Sequence, residues 1–305
     1  MSDNIERLLA YVNETYPQFK QGISESITKS PERFEYIAEL YLSWIIIARG
    51  NRAIEKSVDA FVQFTTEVNL SQAKYEFTGH YENQSFAEVY ESHYSQKSQM
   101  DGYLWGVYLT NFLWAHHLEI SLFFESRFLS QLPSNASIIE IAPGHGGWGA
   151  WALHQMPEAT LRGYDISPSS IQIATSVARA AGVQNRTAYY ESDALDLENQ
   201  KAESCDAVIC SFLIEHLEEP DRLFAIINKL LRPGCTAFVT GALTAAQIDH
   251  IYEFNHESEM LAMAESHGLR VLETLSTNPQ RLLKRARFIP RSMAILLQKP
   301  LTVSS

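Results

Sequence analysis

The chain has 305 residues, 46% of them hydrophobic and 20% charged, a globular composition with room for one large domain or two modest ones. A formal charge of −12 argues against a general nucleic-acid binder, because phosphate needs a cationic surface. No apolar run approaches the roughly 20 residues of a membrane span, the first twenty residues carry Asp3, Glu6 and Glu14 where a secretory leader would be apolar, and three cysteines without metal-type pairing fit a reducing cytoplasm.

Residues 1–135 read as helical. Ser30-Pro31-Glu32 is a helix start, with proline at the first helical position and an acid near the positive end. Phe34, Ile37, Ala38, Tyr41, Leu42, Trp44 and Ile45 continue it at helical spacing, and Gly50 ends it. A second helix is expected from Arg52 to Val68 and a third, long and continuous, from Met100 to Leu129. The stretch from Tyr75 to Tyr94 is less regular.

From residue 136 the pattern alternates. Ile138–Ile141 is a short strand, Gly147–Met156 a helix, Leu161–Tyr164 a strand and Pro168–Ala181 a helix. Strands at Thr187–Glu191 and Ala207–Phe212, a helix at Asp221–Leu231 and a strand at Thr236–Thr240 follow. A helix at Glu257–His267 and strands at Arg270–Leu275 and Met293–Gln298 close the series. Alternating strands and helices predict a parallel sheet covered on both faces. The last two strands have only a loop between them, which predicts an antiparallel pair at the sheet edge. The expected division is a helical unit over residues 1–135 and an α/β unit over residues 136–305.

The first strand runs into Glu140-Ile-Ala142-Pro-Gly144-His-Gly146-Gly-Trp-Gly149 and then into a helix. Glycines at such a bend let the chain turn and let a ligand approach the main chain. By themselves they also match a dinucleotide fingerprint. Asp165, at the end of the second strand, is placed to accept hydrogen bonds from ribose hydroxyls, a group common to nicotinamide dinucleotides and S-adenosylmethionine. Three features separate the two readings. A carboxylate at Glu140 is unfavourable beside a pyrophosphate and compatible with a cationic sulfonium. Asp193-Ala194 follows the third strand, where an acid meets an adenine amino group. Ser211-Phe212 ends the fourth strand, and Leu-Ile-Glu215-His216 follows it.

Together these motifs resemble the class I S-adenosylmethionine-dependent methyltransferases, in the branch acting on small molecules, over roughly residues 136–300. The resemblance implies a Rossmann-like α/β fold: a seven-stranded, mostly parallel sheet with an antiparallel edge hairpin, here preceded by an all-helical lid. It also implies S-adenosyl-L-methionine as cofactor and S-adenosyl-L-homocysteine as product. On that basis Glu140, Ala142, Gly144 and Gly146 lie against the methionine part and Asp165 binds the ribose. Ile166, Asp193 and Ala194 border the adenine, and Ser211 and Phe212 lie under the cofactor. Alanine at position 142 departs from the glycine that commonly begins the loop.

Methyl transfer aligns a nucleophile behind the methyl and, for a phenol or acidic carbon, removes its proton. His216 is the candidate base, on the ligand-facing side of the sheet with a side chain suited to proton transfer near neutrality; Glu215 is its neighbour. His250, His256 and Glu253 are the other candidate metal ligands, at no recognised spacing, so no metal site is expected. His116 and His117 are expected to point apart, with at most one facing a pocket. Residues 1–135 hold 23 of the 34 aromatic residues, which suggests a lid stacking on a planar or cationic acceptor. Tyr90, Tyr94 and Tyr103 are the lid candidates, with Tyr94 assigned to the cofactor. Arg281, Lys284, Arg285, Arg287 and Arg291 form a basic cluster suited to an acidic or carrier-bound acceptor. The expected partner is a small molecule, with neither nucleic acid nor membrane involved and a homodimer allowed. The competing functions are a nicotinamide-dependent oxidoreductase and a non-catalytic partner protein of the same fold.

Overall fold

The computed structural model describes residues 1–94, 96–279 and 285–301, so Arg281 and Lys284 of the basic cluster lie outside the described residues. The chain opens with helices α1 (Asp3–Thr15), α2 (Lys20–Lys29), α3 (Pro31–Arg49), α4 (Ala53–Thr78), the short α5 (Phe86–Val89), α6 (Lys97–Leu113) and α7 (Ala115–Phe123). In α3, Pro31 stands in the first turn with Glu32, Arg49 in the last, and the apolar positions expected at helical spacing are buried.

Two helices differ from expectation. Helix α4 runs ten residues past Val68, to the left-handed cap at Gly79, because neither glycine nor proline interrupts it sooner. The expected single helix from Met100 to Leu129 is broken at Trp114, whose backbone is extended (φ −95°, ψ 121°). Its indole stacks on Phe64, with ring centroids 5.7 Å apart. No helix-breaking residue marks the break, so packing decides it.

Seven strands follow: β1 (Ser137–Ile141), β2 (Thr160–Asp165), β3 (Thr187–Glu191), β4 (Cys205–Cys210), β5 (Leu231–Leu243), β6 (Arg270–Thr277) and β7 (Arg291–Gln298). They form one sheet in the order β3-β2-β1-β4-β5-β7-β6. Strands β1 to β5 are parallel, and β7 is antiparallel to both its neighbours. Helices α8 (Gly147–Gln155), α9 (Pro168–Ala180), α10 (Pro220–Leu230) and α11 (Glu257–Ser266) supply the covering layers. The chain leaves β1 on one side for β2 and returns on the other as β4. That reversal opens a crevice at the carboxyl ends of the strands.

The amino-terminal helices and the sheet share a hydrophobic core. Tyr41, Tyr108, Phe124 and Phe128 from the helices are buried in one cluster with Trp151 and Phe238. The opposite face packs Val208 and Val239 against Phe224, Ile227 and Met260 of α10 and α11. Among the described residues no helix is long and apolar enough to cross a membrane.

Candidate active site

The bend after β1 is held in a glycine-like conformation even where it is not glycine. Ala142 has φ +51°, Gly144 +53° and Gly146 +69°. An alanine there costs of order 1–2 kcal/mol, so its neighbours must hold it in place. At Gly146 a Cβ would come within 2.7 Å of the Ala174 Cβ, which ties the bend closely to α9. Glu140, at the fourth position of β1, accepts the Gly149 N–H (3.1 Å) through Oε1, while Oε2 is buried without a hydrogen-bond partner. Burial pushes its carboxyl up to about 8. Asp165 ends β2, accepting the Gly144 N–H through Oδ2 and the Ser167 N–H through Oδ1, both at 2.9 Å. Burial raises its pKa to about 6, against the lowering effect of those two amides.

These groups border a cleft of about 140 Å³. Glu140, Ala142, Gly144, Asp165, Ile166, Ser211, Phe212, His216 and Tyr94, all expected in the site, line it together. Gly146 shapes the bend behind it. Asp193 and Ala194 are not in its lining; Asp193 accepts the Leu195 N–H at 2.8 Å and closes the turn after β3. The cleft suits an adenosyl sulfonium: the bend exposes backbone, Asp165 presents a carboxylate, and the buried Ser211 Oγ is without a partner. Phe86, Met100 and Leu104 reach over from the helices.

A second space of about 670 Å³ adjoins the cleft. Phe19, Phe61, Phe64 and Trp114 line it from the helices, and Phe288 from the segment before β7. Tyr103, Val107, Thr110, His117, Phe212 and His216 border both spaces. Phe212 also has φ +51°, its N–H donating to Thr240 Oγ1 at 2.9 Å, so a strained residue stands at the junction.

His216 lies in the turn after β4. Its Nδ1 is 2.9 Å from the Asp249 carbonyl and 3.0 Å from the Tyr94 hydroxyl, which also donates to Asp249 Oδ2 (3.2 Å). Nδ1 therefore carries the proton toward the carbonyl and Nε2 the lone pair. Glu215 and His250 flank it, both buried. Glu253 accepts from the Tyr75 hydroxyl and His256 caps α11, so neither joins this group. Burial holds Glu215 up to about 7 and His250 down to about 3.

The expectation for His116 and His117 is corrected. The break at Trp114 puts both at the start of α7, and both line the larger space, with ring centroids 4.6 Å apart. Sequence reasoning also passed over Asp249 and Thr240. Asp249 adjoins His250, which the sequence did single out, but nothing local shows that the loop returns to β4.

Residues 138–234 match the family described as "Methyltransferase domain". The chain is 28% identical over 134 residues to a ubiquinone biosynthesis O-methyltransferase of Coxiella burnetii, covering 38% of this chain and 56% of that one. It is 25% identical over 159 residues to an ajmaline N-methyltransferase of Rauvolfia serpentina, covering 52% and 49%. It thus spans about half the length of these curated relatives. Among solved structures, an O-methyltransferase family protein from Burkholderia thailandensis superposes with a TM-score of 0.57 at 16% identity, covering 82% of this chain and 73% of that one.

Proposed function

We propose that the chain, whose residues 138–234 match a methyltransferase-domain family, is a class I S-adenosylmethionine-dependent methyltransferase that transfers a methyl group to a small, largely apolar acceptor held in the 670 Å³ cavity. The observation that carries this reading is the shared border of cleft and cavity, at which a buried histidine stands beside the cofactor space. Relatives named for O- and for N-methylation support transfer to a heteroatom.

When bound, S-adenosylmethionine supplies a methyl group on a sulfonium, already activated for displacement. The protein's own task is alignment and proton handling. Asp165 receives the ribose hydroxyls; its two backbone amides fix the direction in which its remaining lone pairs point. Glu140, Ala142, Gly144 and Gly146 flank the methionine part, Ile166 the adenine, and Ser211 and Phe212 the underside; Asp193 and Ala194, outside the cleft's lining, are kept at the adenine end as the sequence motif suggests. Tyr94 covers the cleft from above. His216 is the group through which the acceptor loses its proton: Asp249 orients its ring, and Nε2 is the nitrogen left for the acceptor. The aromatic walls exclude water and favour a planar acceptor by stacking. Residues 1–135 are the acceptor cover and residues 136–305 the cofactor unit.

Isothermal titration with S-adenosylmethionine and S-adenosylhomocysteine tests the reading. Binding of both is expected. Binding of NAD(H) or NADP(H) in their place would turn the assignment to an oxidoreductase, and cofactor binding without methyl transfer to any metabolite extract would make the chain a non-catalytic partner.

A further inference from the structure

Glu215, His216 and His250 are brought together from the turn after β4 and the loop after β5, and one ligand atom of each lies within 4.8 Å of the others. All three are buried, at 0%, 6% and 1% exposure, and all three line the acceptor cavity. We propose that they hold a divalent first-row transition-metal ion at the wall of that cavity, with an open coordination position facing the acceptor.

Three observations carry the proposal. Both carboxylate oxygens of Glu215 are buried without a hydrogen-bond partner, an unfavourable arrangement unless something satisfies them. Each histidine is already oriented as a ligand. His250 Nδ1 lies 2.7 Å from the Ala245 carbonyl and His216 Nδ1 lies 2.9 Å from the Asp249 carbonyl, which turns both Nε2 lone pairs away from those carbonyls. Metal-bound histidines are held in this way, with the second nitrogen donating to a carbonyl or carboxylate. The distances are also close to those required: His250 Nε2 is 4.0 Å from Glu215 Oε1, and the two imidazoles stand at 89° with centroids 4.9 Å apart. Ligands on a tetrahedral ion at zinc distances are about 3.3 Å apart, so small side-chain rotations close the site.

Two nitrogens and one carboxylate suit zinc, ferrous or cobaltous ions, and suit magnesium or calcium poorly. An open position lets the acceptor's hydroxyl or amine bind the ion, which lowers its pKa. The proposal rests on the methyl-transfer reading only for what occupies the cavity, and it sharpens the role of His216. In the loaded site its Nε2 lone pair is committed to the ion, and the acceptor is made acidic through the ion instead of by direct proton uptake.

The test uses the full chain, stripped with a chelator and titrated with Co²⁺ alone. The expected result is one Co²⁺ per chain with visible ligand-field absorption. Two exchangeable imidazole N–H signals should be paramagnetically shifted, one for each protected Nδ1–H. Glu215→Gln and His250→Gln should each weaken binding at least about 10-fold. S-adenosylhomocysteine affinity, measured on the same samples, reports whether the variants are folded and tests the cofactor assignment separately. Absence of stoichiometric Co²⁺ uptake by the wild-type chain, absence of the shifted imidazole signals, or unchanged affinity in both variants overturns the proposal.

Discussion

The cleft proposed for the cofactor and the cavity proposed for the acceptor share a border of six residues but are built in different ways. The cleft is made mostly of main chain and of residues a few positions from a strand end: the bend from Ala142 to Gly146, Asp165 at the end of β2, Ser211 and Phe212 after β4. Its polar groups are tied to backbone amides within about twenty residues in sequence. The cavity is made of side chains from distant elements. Phe19 and Trp114 come from opposite ends of the helical segment, and His250 and Phe288 from beyond β5. A cleft built this way is held by hydrogen-bond geometry and tolerates little change. A cavity of packed rings can change shape while the fold persists, so acceptor choice can vary around a constant cofactor site.

The sharpest test of that contrast is His216→Ala, which touches both spaces. Transfer is expected to slow by roughly 10²–10⁴-fold with cofactor affinity little altered, as single-turnover rates and titration will show. Equal losses in both would make His216 part of the cleft's scaffold. Next, Asp165→Asn acts on the cleft alone. It should weaken cofactor binding by about 1.5–3 kcal/mol, or roughly 10–150-fold, and leave acceptor binding intact.

The third test is pH. Burial pushes Glu140, Asp165 and Glu215 up to about 8, 6 and 7, each above the ordinary range of an exposed carboxyl. Between the unfolded and folded values the native state binds more protons, so each of these carboxyls lowers the stability of the ligand-free protein as pH rises, by at most about 1.4 kcal/mol per pH unit; the histidines His116, His145 and His250, held down to about 3 by burial, act the opposite way up to about pH 6.5, so the net fall is expected from about pH 6.5 to about 8. Melting temperature followed across that range measures the slope. Glu140→Gln should flatten it most at the alkaline end, where Glu140 alone still titrates. A melting temperature that climbs toward pH 8 would contradict the burial-driven shifts. The smallest effect is reserved for the cavity: Phe64→Leu removes a ring stacked on Trp114 and should raise the acceptor KM by no more than about 10-fold, with cofactor affinity unchanged.

The legibility of each site in the sequence follows the same division. Glycines, a strand-end acid and a helix start lie within ten to thirty residues of one another, and local geometry carries them to one place. The cleft's lining was therefore readable as far as Asp165, Ser211 and Phe212. Asp193 is the exception, because a carboxylate after a strand is equally able to cap its own turn, and here it does. Helix α4 outran its expected end because no glycine or proline between Val68 and Gly79 breaks it. The break at Trp114 was invisible because an extended tryptophan in a helical pattern is chosen by the rings it meets, Phe64 and His116. That break also put His116 and His117 on the same cavity.

What the amino-acid order determined alone was the alternation of strands and helices, the parallel sheet with its reversed last strand, and the glycine-rich bend after β1. All of these follow from periodicity, glycine placement and connection length, which act over short stretches of chain. What only the tertiary structure decided was the meeting of residue 94 with residues 216 and 249, of residue 215 with residue 250, and of the helical aromatics with both. Those contacts depend on how separate apolar faces pack together, and packing energy is shared among many small contacts that leave no mark on any one stretch of sequence.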